Sequence, residues 1–257
     1  MSRPLILISN DDGLHYPGIR CLIDIARTMG EVVVVAPMQH QSGKSSAITI
    51  LQPLRAFIME RDRDYMAWAV TGTPVDCVKL ALDQLLNGRR PDLVLSGINH
   101  GYNAGISTIY SGTMGVVFEA CLRHIPAIAF SHGGIARQID FTPCTPYIRN
   151  IITRALRQLD QLHDVCLNVN FPHDCDRYPG MKITTTAQGH WEKEYDHRVD
   201  PHGQDYYWLQ GKYVSDNPDD DRTDFYWLNR GWVTVTPCRV DQTAHEAIPA
   251  ITAMLNP

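Results

Sequence analysis

The chain has 257 residues, of which 44% are hydrophobic and 20% charged, enough apolar content for one sizeable core or a core with an elaborated arm. A formal net charge of −5 leaves no basic excess to replace the counterions of duplex DNA, so a duplex nucleic acid is not an expected partner. No apolar run approaches the ~18–20 residues needed to cross a bilayer, and seven cysteines without C-x-x-C spacing read as reduced thiols, so the expectation is a cytoplasmic protein with no membrane partner.

In chain order, Leu5–Ser9 and Val32–Ala36 are continuous apolar runs of the kind buried on both faces of a parallel sheet. Between them Pro17 stands at a helix start. Ile19, Leu22, Ile23 and Ala26 follow at helical spacing, and Gly30 closes the unit. The pattern repeats with a strand over Met66–Val70 and a helix capped at Thr73-Pro74 that carries Val78, Ala81, Leu82 and Leu85 and ends at Asn87-Gly88. Leu93–Leu95 predicts a strand, Met114–Leu122 a helix entered through Ser111-Gly112-Thr113, and Pro126–Phe130 another strand. A long stripe from Tyr147 to Leu159 predicts a helix, and Val165–Val169 a further strand. Such alternation predicts a layered α/β fold with a largely parallel central sheet.

After about residue 186 the character changes. Ten of the 22 aromatic residues lie between Trp191 and Trp232, interleaved with the acidic stretch Asp216–Asp224, which suggests a protruding arm or extended hairpin. Most of its aromatics suit a subunit interface, while some in Tyr206–Trp208 suit a base pocket. Trp232–Thr236 alternates as a strand, and Thr243-x-x-Glu246 has the form of a capping box for a last helix, with Pro249 a point of kink or restart. The expected division is a catalytic core over 1–185, an arm over 186–230, and a final strand and helix over 231–257.

Four loops carry residues able to do chemistry. Asn10-Asp11-Asp12-Gly13 follows the first strand, where ligands of open α/β sheets bind, and adjacent carboxylates there suit Mg²⁺ or Mn²⁺. An Asp-Asp-Gly run equally suits a polar turn. Ser96-Gly97-Ile98-Asn99-His100-Gly101 reads as a Gly-rich turn after the third buried strand, with Asn99 either satisfying local backbone or adding an amide oxygen to a metal shell. Ser111-Gly112-Thr113 opens a helix and is either an ordinary cap or a phosphate cradle. Gln41-Ser42-Gly43-Lys44-Ser45 is no P-loop, because the first glycine of that motif is replaced by Met38. It reads as a loop beside the site, with Ser42 a hydroxyl ligand. His15, His40 and His100 lie in these same loops. Together the loops supply carboxylates, an amide, a hydroxyl and a phosphate-sized nest that such a sheet can gather at one point.

The sequence resembles the SurE family, the stationary-phase survival nucleotidases. The resemblance is carried by Ile6 through Gly13, Ala36-Pro37, Gln41-Ser42-Gly43, Gly72 through Val78, Pro91 through Asn99, and Tyr110 through Thr113, then by Leu167 through Pro172, Thr223-Asp224 and Val233 through Pro237. It implies a three-layer, Rossmann-like core with a C-terminal arm used in oligomerisation, giving a homodimer or homotetramer. It further implies hydrolysis of nucleoside 5′-monophosphates, and often 3′-monophosphates, with one divalent cation per subunit, Mg²⁺ or Mn²⁺. Carried over by position, Asp11, Asp12, Ser42 and Asn99 would hold the metal, with Asp11 and Asp12 also serving catalysis. Asn99, Ser111, Gly112 and Thr113 would hold the phosphate, and Asn10, Gly43 and His100 would lie in the substrate loops. Met38-Gln39-His40-Gln41 replaces the acidic and basic residues usual in the family. The rival readings are a non-catalytic nucleotide-binding module and an aspartyl-phosphate phosphatase, which would favour Asp-x-Asp over adjacent aspartates.

Overall fold

The computed structural model describes residues 3–136, 139–173 and 175–255. Strand β1 (Leu5–Ser9) buries all five of its residues, and its side chains alternate between two cores. Ile6 and Ile8 face one that is completed by α1 (Pro17–Arg27) and α4 (Thr145–Arg157). Leu5 and Leu7 face the other, completed by α2 (Pro74–Leu80) and α3 (Gly112–Leu122). Each fully buried Ile or Leu contributes about 2 kcal/mol, so β1 is pinned from both sides.

The remaining strands are β2 (Glu31–Pro37), β3 (Ala56–Asp62), β4 (Tyr65–Val70), β5 (Leu93–His100), β6 (Ala127–His132), β7 (Cys166–Phe171), β8 (Met181–Ile183), β9 (Gly189–Glu192), β10 (Tyr195–Val199), β11 (Asp205–Leu209), β12 (Lys212–Ser215) and β13 (Val233–Cys238). Two short helices, α5 (Asp224–Leu228) and α6 (Ile248–Leu255), complete the elements used below. Among the described residues nine strands form one sheet, in the order β3-β4-β2-β1-β5-β6-β7-β13-β8. From β4 to β7 every neighbouring pair is parallel, and chain order runs outward both ways from β1. Within this sheet, among the described residues, only β3 against β4 and β13 against β7 are antiparallel. That is the doubly wound arrangement, and it puts the topological switch point between β1 and β5. Strands β9 to β12 stand apart from this sheet as two antiparallel ribbons, β10 with β11 and β9 with β12.

Several expectations are corrected. The strand expected over Leu93–Leu95 continues to His100, so Ser96–His100 is strand rather than turn, with a register irregularity against β6 between Ser96 and Asn99. Edge strand β3 was not anticipated; its exposed Phe57, Ile58 and Met59 give no clean alternation. The helix over Tyr147–Leu159 stops at Arg157, and Leu159 opens a 3-10 turn. The capping box at Thr243 does not form: the chain makes a 3-10 turn at His245–Ala247 and restarts as α6 at Ile248, where Pro249 falls in the first turn and needs no N–H partner. Elsewhere local signals hold. Thr73 and Asp76 close a reciprocal capping box on α2, and Ser111 caps α3 by accepting from Met114 N at 3.0 Å. Among the described residues no disulfide is formed, and no helix is long and apolar enough to cross a membrane.

Candidate active site

The turn leaving β1 is closed by its own side chain. Asn10 Nδ2 donates to the Gly13 carbonyl at 3.0 Å, and Gly13 N donates back to Asn10 Oδ1 at 3.1 Å. Gly13 holds φ +107, a backbone angle that glycine reaches without a steric cost. This hairpin-tight turn leaves Asp11 and Asp12 adjacent at the switch point, 3% and 2% exposed.

Asp11 meets the start of α3. Thr113 Oγ1 donates to its Oδ1 at 2.5 Å. A Cβ on Gly112 would lie 2.9 Å from Asp11 Cβ and 3.0 Å from Pro74 Cγ, so only glycine lets the helix begin this close. The backbone of the Ser42 loop is tied in as well, since Gln41 N donates to the Asp11 carbonyl at 2.7 Å. Asp12 accepts from His100 N at 3.4 Å, and its Oδ1 stands 3.4 Å from Nδ1 of the half-exposed His40.

The electrostatics are unfavourable to two bare carboxylates. Burial pushes the Asp11 carboxyl above its ordinary value, against the opposing bonds from Thr113. Asp12 is pushed up to about 7, chiefly by burial and then by the charge of Asp11. Among the described residues no lysine or arginine pairs with either. The histidine beside them is shifted the other way: burial, then His40, pulls His100 below its ordinary value. His100 Nε2 is buried without a hydrogen-bond partner among the described residues.

Asn99 lies at the end of β5, beside β1 across the switch point. Its Nδ2 donates to the Gly101 carbonyl at 2.8 Å, which leaves Oδ1 as the lone-pair atom for a ligand. Asp11, Ser42, Gly43, Asn99, His100 and Ser111 all line one cavity of about 470 Å³. A second, of about 730 Å³, is lined by Asp12, Ser42, His15, His40 and His100. The loops therefore gather as the topology requires. Gly112 and Thr113 lie immediately behind Asp11, and Asn10 is committed to its own turn.

Other residues of the cavity were not anticipated. Tyr102, Asn103 and Ser107 come from the segment joining β5 to α3. Trp191, Glu194, Tyr195, Leu209 and Gln210 come from the ribbons, whereas Tyr206–Trp208, expected to supply a base pocket, do not line the cavity. Asp224 brings the two groups together: its carboxylate accepts from Gly105 N at 2.8 Å and Ala187 N at 3.1 Å, clamping the loop before α3 to the root of the ribbons. The clustered aromatics were the available signal, but which of them face the cavity depends on ribbon pairing.

A family model described as survival protein SurE matches residues 6–193. The chain belongs to the SurE family. It is 43% identical to a 5′-nucleotidase SurE of Cytophaga hutchinsonii, with 96% of this chain and 95% of that one covered. It is 44% identical to a 5′-nucleotidase SurE of Flavobacterium psychrophilum, over 98% and 97% of the two chains. Among solved structures, the SurE protein from Aquifex aeolicus aligns with a TM-score of 0.83 and 33% identity, covering 98% of this chain and all of its own. The SurE-family resemblance and the α/β architecture read from the sequence both agree with these matches.

Proposed function

We propose that this protein is a phosphoric monoester hydrolase, a 5′-nucleotidase that releases phosphate from nucleoside monophosphates with the help of one divalent cation. The observation that carries the reading is the pair Asp11 and Asp12, buried side by side at the switch point and sharing cavities with Ser42, Asn99 and the start of α3. Family membership supports the same activity, since relatives at 42–44% identity bear the name 5′-nucleotidase SurE.

The residues fit a hard cation. Two buried carboxylates, held above their ordinary pKa values and without a lysine or arginine partner among the described residues, are stabilised by a double positive charge. Asp11, Asp12, Ser42 and Asn99 offer only oxygen atoms, the donor set of Mg²⁺ and Mn²⁺. When bound, such a cation supplies charge against the phosphoryl oxygens and acidity for the attacking water.

The chain does the positioning. Thr113 fixes the rotamer of Asp11, so its hydroxyl serves the carboxylate first. Gly112 N, Ser111 and Asn99 then hold the phosphate at the positive end of an 11-residue helix. Asp12 Oδ1 faces His40, which gives a proton taken up at that carboxylate a route to solvent. The ribbon residues Trp191 and Tyr195 cover the nucleoside side of the cavity. Phosphoryl transfer needs mainly placement and charge, so no covalent nucleophile is required.

Exposed Tyr207, Trp208 and Leu209 on β11, and an α6 that buries no residue, support a homodimer or homotetramer. Seven cysteines without a disulfide among the described residues support a cytoplasmic setting. The decisive assay is phosphate release from adenosine 5′- and 3′-monophosphates with and without a chelator. Release that stops on chelation and returns with Mn²⁺ is expected. Nucleotide binding without release would favour a non-catalytic module, and a trapped phosphoenzyme an aspartyl-phosphate route.

A further inference from the structure

At the sheet edge opposite the candidate active site, His124 and His163 each stand three residues ahead of a register pair, Ala127 on β6 and Cys166 on β7. Parallel pairing of these strands therefore sets the two histidines side by side, with their rings stacked at 4.9 Å between centroids and 18° between planes. Both Nδ1 atoms point at the same carboxylate oxygen: Asp164 Oδ1 lies 3.2 Å from His124 Nδ1 and 3.1 Å from His163 Nδ1. One ligand atom from each of the three residues lies within 4.8 Å of the other two.

The backbone holds this arrangement in place. His124 adopts φ +54, where glycine is cheaper, and is fixed there by its own N–H to the Cys121 carbonyl at 2.8 Å. Arg90 Nη2 donates to the carbonyls of Arg123 and His124, at 2.8 Å each. Bonds of about 2.0–2.1 Å to nitrogen and oxygen in a tetrahedron put neighbouring donors about 3.3 Å apart. The two nitrogen–oxygen separations are already within 0.2 Å of that.

We propose that His124, His163 and Asp164 form a second metal site that takes a zinc-class divalent cation through two Nδ1 atoms and one carboxylate oxygen, with water in the fourth position. Imidazole pairs favour Zn²⁺, Cu²⁺ or Ni²⁺ over Mg²⁺, so the site differs in kind from the all-oxygen set around Asp11 and Asp12. A cation there ties the turn after α3 to the turn before β7. This inference does not depend on nucleotidase activity.

The test compares the wild-type protein with a His124→Gly/His163→Ala variant, both in excess Mg²⁺ to occupy the oxygen site. All three side chains are exposed, and glycine suits φ +54, so the variant keeps its fold. Zinc titrated by calorimetry should give one more equivalent per chain in the wild type, and Co²⁺ should give tetrahedral visible absorption bands that the variant lacks. Asp164→Asn alone should weaken zinc binding by about tenfold or more, while phosphate release in Mg²⁺ stays unchanged in both variants. Identical zinc stoichiometry and Co²⁺ spectra in wild type and variant would overturn the proposal, whatever the outcome of the nucleotidase assay.

Discussion

Thr113 Oγ1 and Asp11 Oδ1 are joined at 2.5 Å across 102 residues of sequence, linking the first turn of α3 to the turn that leaves β1. Burial drives the Asp11 carboxyl toward protonation, and this bond opposes it. Thr113→Val keeps the shape and removes the donor. Turnover at saturating adenosine monophosphate should fall about 10–100-fold, with a matching loss of Mn²⁺ affinity. Thr113→Ser should stay near wild type. Rates for the valine variant within a factor of about two would remove the orienting role.

Asp12→Asn separates stability from activity. Its carboxylate is costly where it stands, with a pKa raised to about 7, so the neutral amide should leave the metal-free protein as stable as before or more so. Phosphate release should nevertheless drop by about 10³-fold, since the proposed metal-assisted step would lose several kcal/mol. Melting curves without added metal, read beside initial rates, check both halves.

Asp76 supplies an acid-sensitive stabilisation. Burial opposes its charge, but bonds from Thr49 Oγ1 at 2.6 Å, Thr49 N at 3.0 Å and Thr73 N at 2.9 Å prevail, and the carboxyl titrates below its ordinary value. The folded protein therefore binds this proton less readily than the unfolded chain. The contribution is present above about pH 4 and is lost as pH falls through the depressed folded value. Asp76→Ala should cost about 2 kcal/mol at pH 7, where it removes a capping box and the Thr49 bonds. Urea titrations at pH 7 and pH 3 should show that difference shrinking in acid.

Trp191 tests the nucleoside side of the cavity. Trp191→Ala should raise KM for adenosine 5′-monophosphate about tenfold, within the range for base stacking on an aromatic ring. Hydrolysis of a small aryl phosphate should change little. Equal losses on both substrates would mean the ribbon does not meet the base.

How much of this was legible in the sequence varies by element. The runs Leu5–Ser9 and Val32–Ala36 and the stripe of α1 announce themselves because burial on two faces, or on one stripe, leaves a local pattern. The placement of Asp11 and Asp12 at the carboxyl end of β1 was legible because they directly follow an apolar run that reads as a buried strand. Ser96–His100 was not legible as strand, since small and polar residues there mimic a turn while their pairing lies with β6, roughly thirty residues on. The same limit hid β3 and the choice of Trp191 and Tyr195 over Tyr206–Trp208 as cavity wall. The Thr113 bond to Asp11 was beyond reach too: a local reading sees Thr113 only as a helix-start residue.

The Asn10–Gly13 clamp has a thermodynamic consequence. Because Asn10 and Gly13 satisfy each other, the backbone that carries Asp11 and Asp12 is already set in the free protein. In the proposed reaction, association would spend little backbone entropy at this point, leaving more of the contact energy for the phosphoryl group.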